Sequence, residues 1–142
     1  MNVSLVPAEK YEYVKNLFQY YWHKPNHFPY LIMVDDQVAG FSLVRRYPGS
    51  DDYFDMGQFF VLRKFKRKGV GEQAFKQTVA RHSGKWITRV LPNNLGAKKF
   101  WLNVINSIST SEVEVKTELY KETEIDFIRY SVWHVHLQLQ NP

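Results

Sequence analysis

Cysteine is absent from these 142 residues, which excludes disulfides, thiolate metal sites and a cysteine nucleophile. Nor does any apolar stretch approach the roughly 18 residues that a bilayer-spanning helix requires. The opening segment MNVSLVPAEKYE carries neither a basic leader nor an apolar run of signal length, so the expected compartment is the cytoplasm and no membrane partner is expected. Internal repeats, low-complexity tracts and linkers rich in Gly, Ser or Pro are missing as well. Residues 1–142 therefore read as one domain, a size that buries a single core. Acidic residues are the scarcer charge, 14 against 19 Lys and Arg, for a net charge of +5 and a pI near 9.4. That imbalance favours an anionic partner without choosing among nucleic acid, a membrane surface and a phosphorylated small molecule.

Aromatic residues, in contrast, are plentiful at 16%, which points to large flat side chains in a core or a pocket. The chain opens with a strand expected at Asn2 to Val6, and a helix is expected from Ala8 to Trp22, where Tyr11, Val14, Phe18 and Tyr21 recur at three- and four-residue steps. Tyr30 to Val34 and Val38 to Arg46 read as a hairpin around the acidic turn Asp35–Asp36–Gln37. Tyr53 to Leu62 is a third, aromatic-rich strand, and Arg63 to Lys68 is a basic segment that ends it. Helical spacing returns over Gly69 to His82 at Val70, Ala74, Phe75, Thr78 and Val79, with Gly84 in the place of a C-terminal glycine cap. Lys85 to Leu91 is a strand closed by Pro92. Asn93 or Asn94 then caps an amphipathic helix whose apolar positions are Ala97, Phe100, Trp101, Val104 and Ile105. Two strands, Glu112 to Tyr120 and Ile125 to His136, finish a mixed sheet with helices packed on it.

The segment VLRKFKRKGVGEQAF sends a buried strand through a turn with Gly69 and Gly71 into a helix start. The first helical turn has four N–H groups without intrahelical acceptors, and the aligned peptide dipoles leave that end partly positive. A diphosphate can accept those hydrogen bonds, glycines let the backbone approach it, and Arg63, Lys64, Lys66, Arg67 and Lys68 add positive field. A solvated basic face is the plainer alternative. Neither G-x-x-x-x-G-K-[ST] nor the third glycine of a dinucleotide-binding turn is present, so ATP hydrolysis and nicotinamide chemistry have no support.

FFVLRKFKRKGVG resembles the acetyl-CoA-binding motif of the GNAT acetyltransferase superfamily, usually Q/R-x-x-G-x-G/A. Here the motif reads Lys66-Arg67-Lys68-Gly69-Val70-Gly71, with lysine at the first place. NLGAKKFW resembles the family's second motif, N-x-x-A-x-x-F-Y, through Asn94, Ala97, Phe100 and an aromatic at position 101. Together with the GKW between them, the two segments are similar to a bacterial subgroup of predicted acetyltransferases. The resemblance implies an α/β (α+β) GNAT fold. Its central twisted sheet would be mixed but mostly antiparallel, with about seven strands, flanked by helices and splayed between the fourth and fifth.

The resemblance further implies acetyl-CoA as cosubstrate, no metal, and direct acetyl transfer to a primary amine of a small molecule or larger acceptor. Phe60, Val61 and Leu62 would hold the pantetheine arm. Lys66, Arg67, Lys68, Gly69, Val70 and Gly71 would hold the pyrophosphate, with Asn94, Ala97, Lys98 and Trp101 contributing from the second motif. Trp101 stands where the family has the tyrosine that protonates the thiolate, and an indole N–H donates a hydrogen bond but is no acid near neutral pH. It either stabilises the sulfur or packs with Ala97 and Phe100. An acyl-CoA-binding regulatory module with little or no catalysis is the alternative reading.

Asp55 is the expected acceptor of the amine proton, or else a structural carboxylate. Strand alternation groups it with Gly57, Phe59 and Val61 unless Gly57 forms a bulge. His134 and His136 share a strand face without a third metal ligand, and His23 and His27 would border the acceptor. RKFKRK alone would suggest a nucleic-acid-binding domain, but an anionic cofactor accounts for the same charges and no nucleic acid is expected. A homodimer completes the expected partners.

Overall fold

The computed structural model describes residues 1–8, 25–50 and 52–134. The helix expected over Ala8 to Trp22 lies outside the described residues apart from Ala8, as do His23 and His136. The sheet is built from β1 (Val3–Pro7), β2 (His27–Val34), β3 (Gln37–Arg46), β4 (Tyr53–Val61), β5 (Gly84–Val90), β6 (Glu114–Tyr120) and β7 (Thr123–Val132). Two helices, α1 (Val70–Ala80) and α2 (Leu95–Ile108), and a short 3-10 turn at Arg63–Phe65 complete the described elements. Spatial order is β1-β2-β3-β4-β5-β7-β6. Every pairing is antiparallel except β4 with β5, the one junction where a helix carries the chain between parallel neighbours.

The β2–β3 hairpin turns at Asp35, whose φ is 54°. Asn2 and Asp35 then lock the turn to the start of β1, with Asp35 N donating to Asn2 O at 2.7 Å and Asn2 N to Asp35 Oδ1 at 3.0 Å. The β6–β7 turn places Lys121 and Glu122 at φ 51° and 70°, the left-handed pair that a tight hairpin requires. β1 is an edge strand whose outward carbonyls are covered by α1. Gln77 Nε2 donates to Val3 O (2.7 Å) and Arg81 Nη2 to Leu5 O (3.0 Å), which leaves that edge less open to pairing with another chain.

The buried positions of α1 are Val70, Ala74, Phe75, Thr78 and Val79, the periodic set read from the sequence. Thr78 donates to Ala74 O and meets Ser42 Oγ of β3 at 2.9 Å, so both buried hydroxyls are satisfied. Gly84 departs from expectation. It opens β5 at φ 147°, where a Cβ would sit 3.4 Å from the Phe54 ring, and Arg81 caps α1 instead. β7 also stops at Val132, so His134 is an exposed residue past the strand.

The main core lies between the sheet and the two helices, around Phe75, Trp86, Ile105 and Ile128. At one end of it Trp86 Nε1 donates to His82 O (2.9 Å), and Tyr30 OH meets His82 Nε2 at 2.7 Å. Burial, reinforced by Arg46 and Arg81, lowers the His82 imidazole to about 4, so it is neutral in the folded chain at neutral pH.

Two features of β4 give the sheet its opening. Its register against β3 jumps from Leu43↔Gln58 to Val44↔Met56, which leaves Gly57 as a bulge. Its ladder with β5 is confined to Tyr53, Asp55 and the residue between, opposite Lys85 to Ile87. Beyond that point the two parallel strands part.

Candidate active site

The opening between β4 and β5 leads to a cavity of about 720 Å³. Three segments wall it: Phe59, Phe60 and Val61 at the end of β4; Lys66, Arg67, Gly69, Gly71 and Glu72 at the turn and the start of α1; and Gly96, Ala97, Phe100 and Trp101 on the first turns of α2. Residues from both sequence motifs therefore face one space. The bulge makes this possible. Phe54 and Met56 face the helices, and the extra residue Gly57 shifts the alternation so that Phe59 and Val61 also face them.

The turn before α1 has two residues at positive φ. Gly69, the N-cap, has φ 78° and ψ 6°, and Arg67 also sits at positive φ (63°). Left-handed residues on either side of one that is not left-handed draw successive N–H groups into a concave nest. Lys66, Arg67 and Lys68 are exposed around it. Glu72 is the one carboxylate in the wall, and Lys76 Nζ lies 2.9 Å from it, one helical turn on. Gly71 of α1 faces Phe100 of α2. A Cβ there would lie 3.3 Å from Phe100 Cζ, so a larger residue would push the Phe100 ring or narrow the cavity.

Asn94 Oδ1 accepts from Ala97 N (3.2 Å) and caps α2. The apolar face of α2 divides: Val104 and Ile105 are buried in the core, while Ala97, Phe100 and Trp101 are half-buried along the cavity. Trp101 packs edge-on against Phe59, Phe75 and Phe100, with centroids 5.3, 5.0 and 5.0 Å away. It therefore packs in the core with Phe59, Phe75 and Phe100 and also lines the cavity.

Other expected residues lie off the cavity. Val70 is buried in the core, Leu62 turns back to β3 with its N–H on Ala39 O (2.7 Å), and Lys68 is exposed. Lys98 Nζ lies 2.7 Å from Asp126 Oδ2. That contact, with a hydrogen bond from Thr117, holds the Asp126 carboxyl below the usual range.

Asp55 does not join the cavity either. The Gly57 bulge leaves it on the opposite face of the sheet from Phe59 and Val61, so the grouping expected from plain alternation fails. Asp55 is fully buried, and its Oδ2 accepts from Arg45 Nε (2.9 Å) and Arg89 Nη2 (3.0 Å). A carboxylate sealed under two guanidiniums is poorly placed to take a proton from a substrate amine. Sequence reasoning overlooks Arg45, Arg89 and His82, since each acquires its partner only through cross-strand register or helix packing. His27 donates through Nδ1 to Pro25 O (3.0 Å) at the start of β2.

A family model described as the Acetyltransferase (GNAT) family matches residues 3–103. No curated protein sequence matches the chain. Among solved structures, an acetyltransferase from Thermus thermophilus superposes with a TM-score of 0.69 at 12% identity, covering 93% of this chain and 98% of that one. A GNAT family acetyltransferase from Elizabethkingia anophelis with acetyl-CoA bound gives 0.57 at 14% identity, covering 94% and 99%. The ribosomal-protein-S18-alanine N-acetyltransferase of Escherichia coli gives 0.63 at 10% identity, covering 99% and 100%. At these identities the likeness speaks to the fold, and the family model, which spans most of the chain, speaks to descent. The chain belongs to the GNAT acetyltransferase family, whose members are acetyl-CoA-dependent acyltransferases.

Proposed function

We propose that this protein, as a single cytoplasmic domain of residues 1–142, transfers the acetyl group of acetyl-CoA directly to a primary amine of a small molecule or larger acceptor. One observation carries the reading: the nest at Arg67 to Gly69, the α1 N-terminus and Trp101 all face one cavity at the point where β4 and β5 part. In this reading the nest and Lys66 hold the pyrophosphate. The stretch of β4 from Gln58 to Val61, which has no ladder partner in β5, offers main-chain groups to the pantetheine amides. Glycine at 69 and 71 keeps side chains out of the phosphates' approach.

The amine nitrogen attacks the acetyl carbonyl carbon; a C–N bond forms, the C–S bond breaks, and an amide and a free thiol result. The chain's main contribution is placement of the two reactants. Trp101 offers its indole N–H to the departing sulfur, and water supplies the thiolate's proton and takes the amine's. Asp55 takes none, being closed off by Arg45 and Arg89. Calorimetric titration with acetyl-CoA at low salt, followed by a thiol-release assay over an amine panel, tests the reading. Absence of acetyl-CoA binding would sink it, whereas tight binding without transfer to any amine would favour a regulatory module.

A further inference from the structure

The two edges of the sheet are finished differently. At β1 the carbonyls of Val3 and Leu5 accept from Gln77 and Arg81 of α1. β6 stands at the opposite end of the strand order, and among the described residues nothing pairs with its outer side. It runs from Glu114 to Tyr120 without a proline and without a shift in its register against β7. Regular edges of this kind pair with another chain unless something blocks them. Val115 and Leu119 are exposed on one face of the strand, at 42% and 74%, with Thr117 between them. The last described residue, His134, lies on the β5 side of β7, its N–H donating to Ser83 Oγ (3.0 Å).

The β6–β7 turn decides which main-chain groups of β6 face outward. Tyr120 and Thr123 close a two-residue turn, so they exchange hydrogen bonds, and alternation directs the groups of Tyr120, Glu118, Lys116 and Glu114 toward β7. Those of Val115, Thr117 and Leu119 point away from it. An incoming antiparallel strand must bring its own outward groups to these residues, and a second β6 can do so in a few registers. Centring the pair on Lys116 sets that lysine against itself and Glu114 against Glu118. Centring it on Glu118 sets two carboxylates face to face. Centring it on Thr117 sets Lys116 against Glu118 and Val115 against Leu119, and the two-fold axis repeats both contacts. A lysine in the middle of an edge strand ordinarily repels an incoming strand. In this register it meets a carboxylate instead. Glu114 and Glu118 share the Arg129 guanidinium, at 3.6 and 2.8 Å, while Lys116 makes no ion pair among the described residues.

We propose that β6 is the surface through which two copies of this chain associate, paired antiparallel about a two-fold axis at Thr117, so that one sheet runs through both. Opposite charges and facing apolar pairs stabilise such a ladder, whereas like charges directly opposite destabilise it. One strand pair buries less than the roughly 1,600 Å² of a standard interface, so dissociation in the micromolar range is expected. β5 and β7 separate this edge from the β4–β5 opening, and the inference does not depend on the acetyl-transfer reading.

Sedimentation velocity on the full chain, from about 1 µM to about 1 mM, should show monomer giving way to dimer. Lys116→Glu sets carboxylate against carboxylate twice, and Glu118→Lys does the same with ammonium groups. Each variant should self-associate about tenfold or more weakly. Mixed in equal amounts, the two should form a heterodimer with affinity close to the wild type, because both cross-pairs are again of opposite sign. A second readout uses the unaltered protein. In hydrogen exchange the amides of Val115, Thr117 and Leu119 should gain protection as concentration rises, while those of Lys116 and Glu118, already bonded to β7, should not change. A monomer at every concentration, or a dimer indifferent to both charge variants, overturns the proposal. So does a mixture that stays monomeric, or protection of the three outward amides that is complete in the dilute monomer, since another part of the chain would then hold that edge.

Discussion

Replacing Gly71 by alanine separates the donor site from the stability of the fold. The new Cβ would stand 3.3 and 3.4 Å from Phe100 Cζ and Cε1 and 3.9 Å from Phe59 Cε1, so Phe100, half-buried and itself a cavity wall, must yield. Overpacking of this kind costs about 1–3 kcal/mol, and up to about 1 kcal/mol returns because alanine is the better helix former. The net change is at most about 3 kcal/mol, or about 9–12 °C in Tm for a chain of this size. If the ring yields by turning into the cavity, the strain appears in binding. Acetyl-CoA affinity should then fall by about 5- to 150-fold.

Gly69→Ala serves as the contrast. Nothing lies nearer than Gln73 Nε2 at 4.0 Å, so its cost of about 1–2 kcal/mol is the backbone cost of a left-handed alanine, and it should lower Tm with a smaller loss of affinity. Calorimetric Kd and thermal melts on both variants decide the matter. Wild-type acetyl-CoA affinity in both Gly71→Ala and Gly69→Ala would refute the assignment of this cavity to the donor.

Three further outcomes are expected. Trp101→Tyr places an ionisable hydroxyl beside the sulfur and should raise kcat by about tenfold or more at saturating acetyl-CoA, since general acids contribute about 10²–10⁴; an unchanged kcat would show that proton supply is not limiting. Asp55→Ala removes the buried carboxylate that Arg45 and Arg89 both contact and should cost about 3–5 kcal/mol, or roughly 10 °C or more in Tm. A calorimetric loss under about 2 °C would contradict that structural role. His82 is lowered from 6.5 to about 4 in the folded chain. Above pH 6.5 it is neutral whether folded or unfolded, and between 6.5 and 4 only the unfolded chain gains the proton, so stability should decline across that window. Urea midpoints at about pH 7 and about pH 4.5 should differ less in His82→Gln than in the wild type.

Much of the fold is legible in the sequence because it rests on local rules. The spacing of Val70, Ala74, Phe75, Thr78 and Val79 marks one helix face, and Asn94 marks a cap, since both patterns act within a turn or two of chain. Gly84 misleads for a related reason: a glycine after a helix suits a cap, but packing against Phe54 gives it to β5. The β6–β7 turn offers no glycine or asparagine to read, because Lys121 and Glu122 take up the left-handed conformation within a long antiparallel ladder. The end of β7 falls earlier than the alternation suggests, as nothing in the pattern beyond Val132 announces that pairing stops.

By itself, then, the amino-acid order determined most of the described elements, the glycine-containing turn before α1 and the family, through contacts between residues close in the chain. Only the tertiary structure decided which faces those residues meet. One unmatched residue, Gly57, turns Phe59 and Val61 toward the helices and leaves Asp55 on the far side beneath Arg45 and Arg89. Strand faces alternate with a period of two, so a single bulge reverses the assignment of every residue beyond it. Register between strands distant in sequence settles the rest.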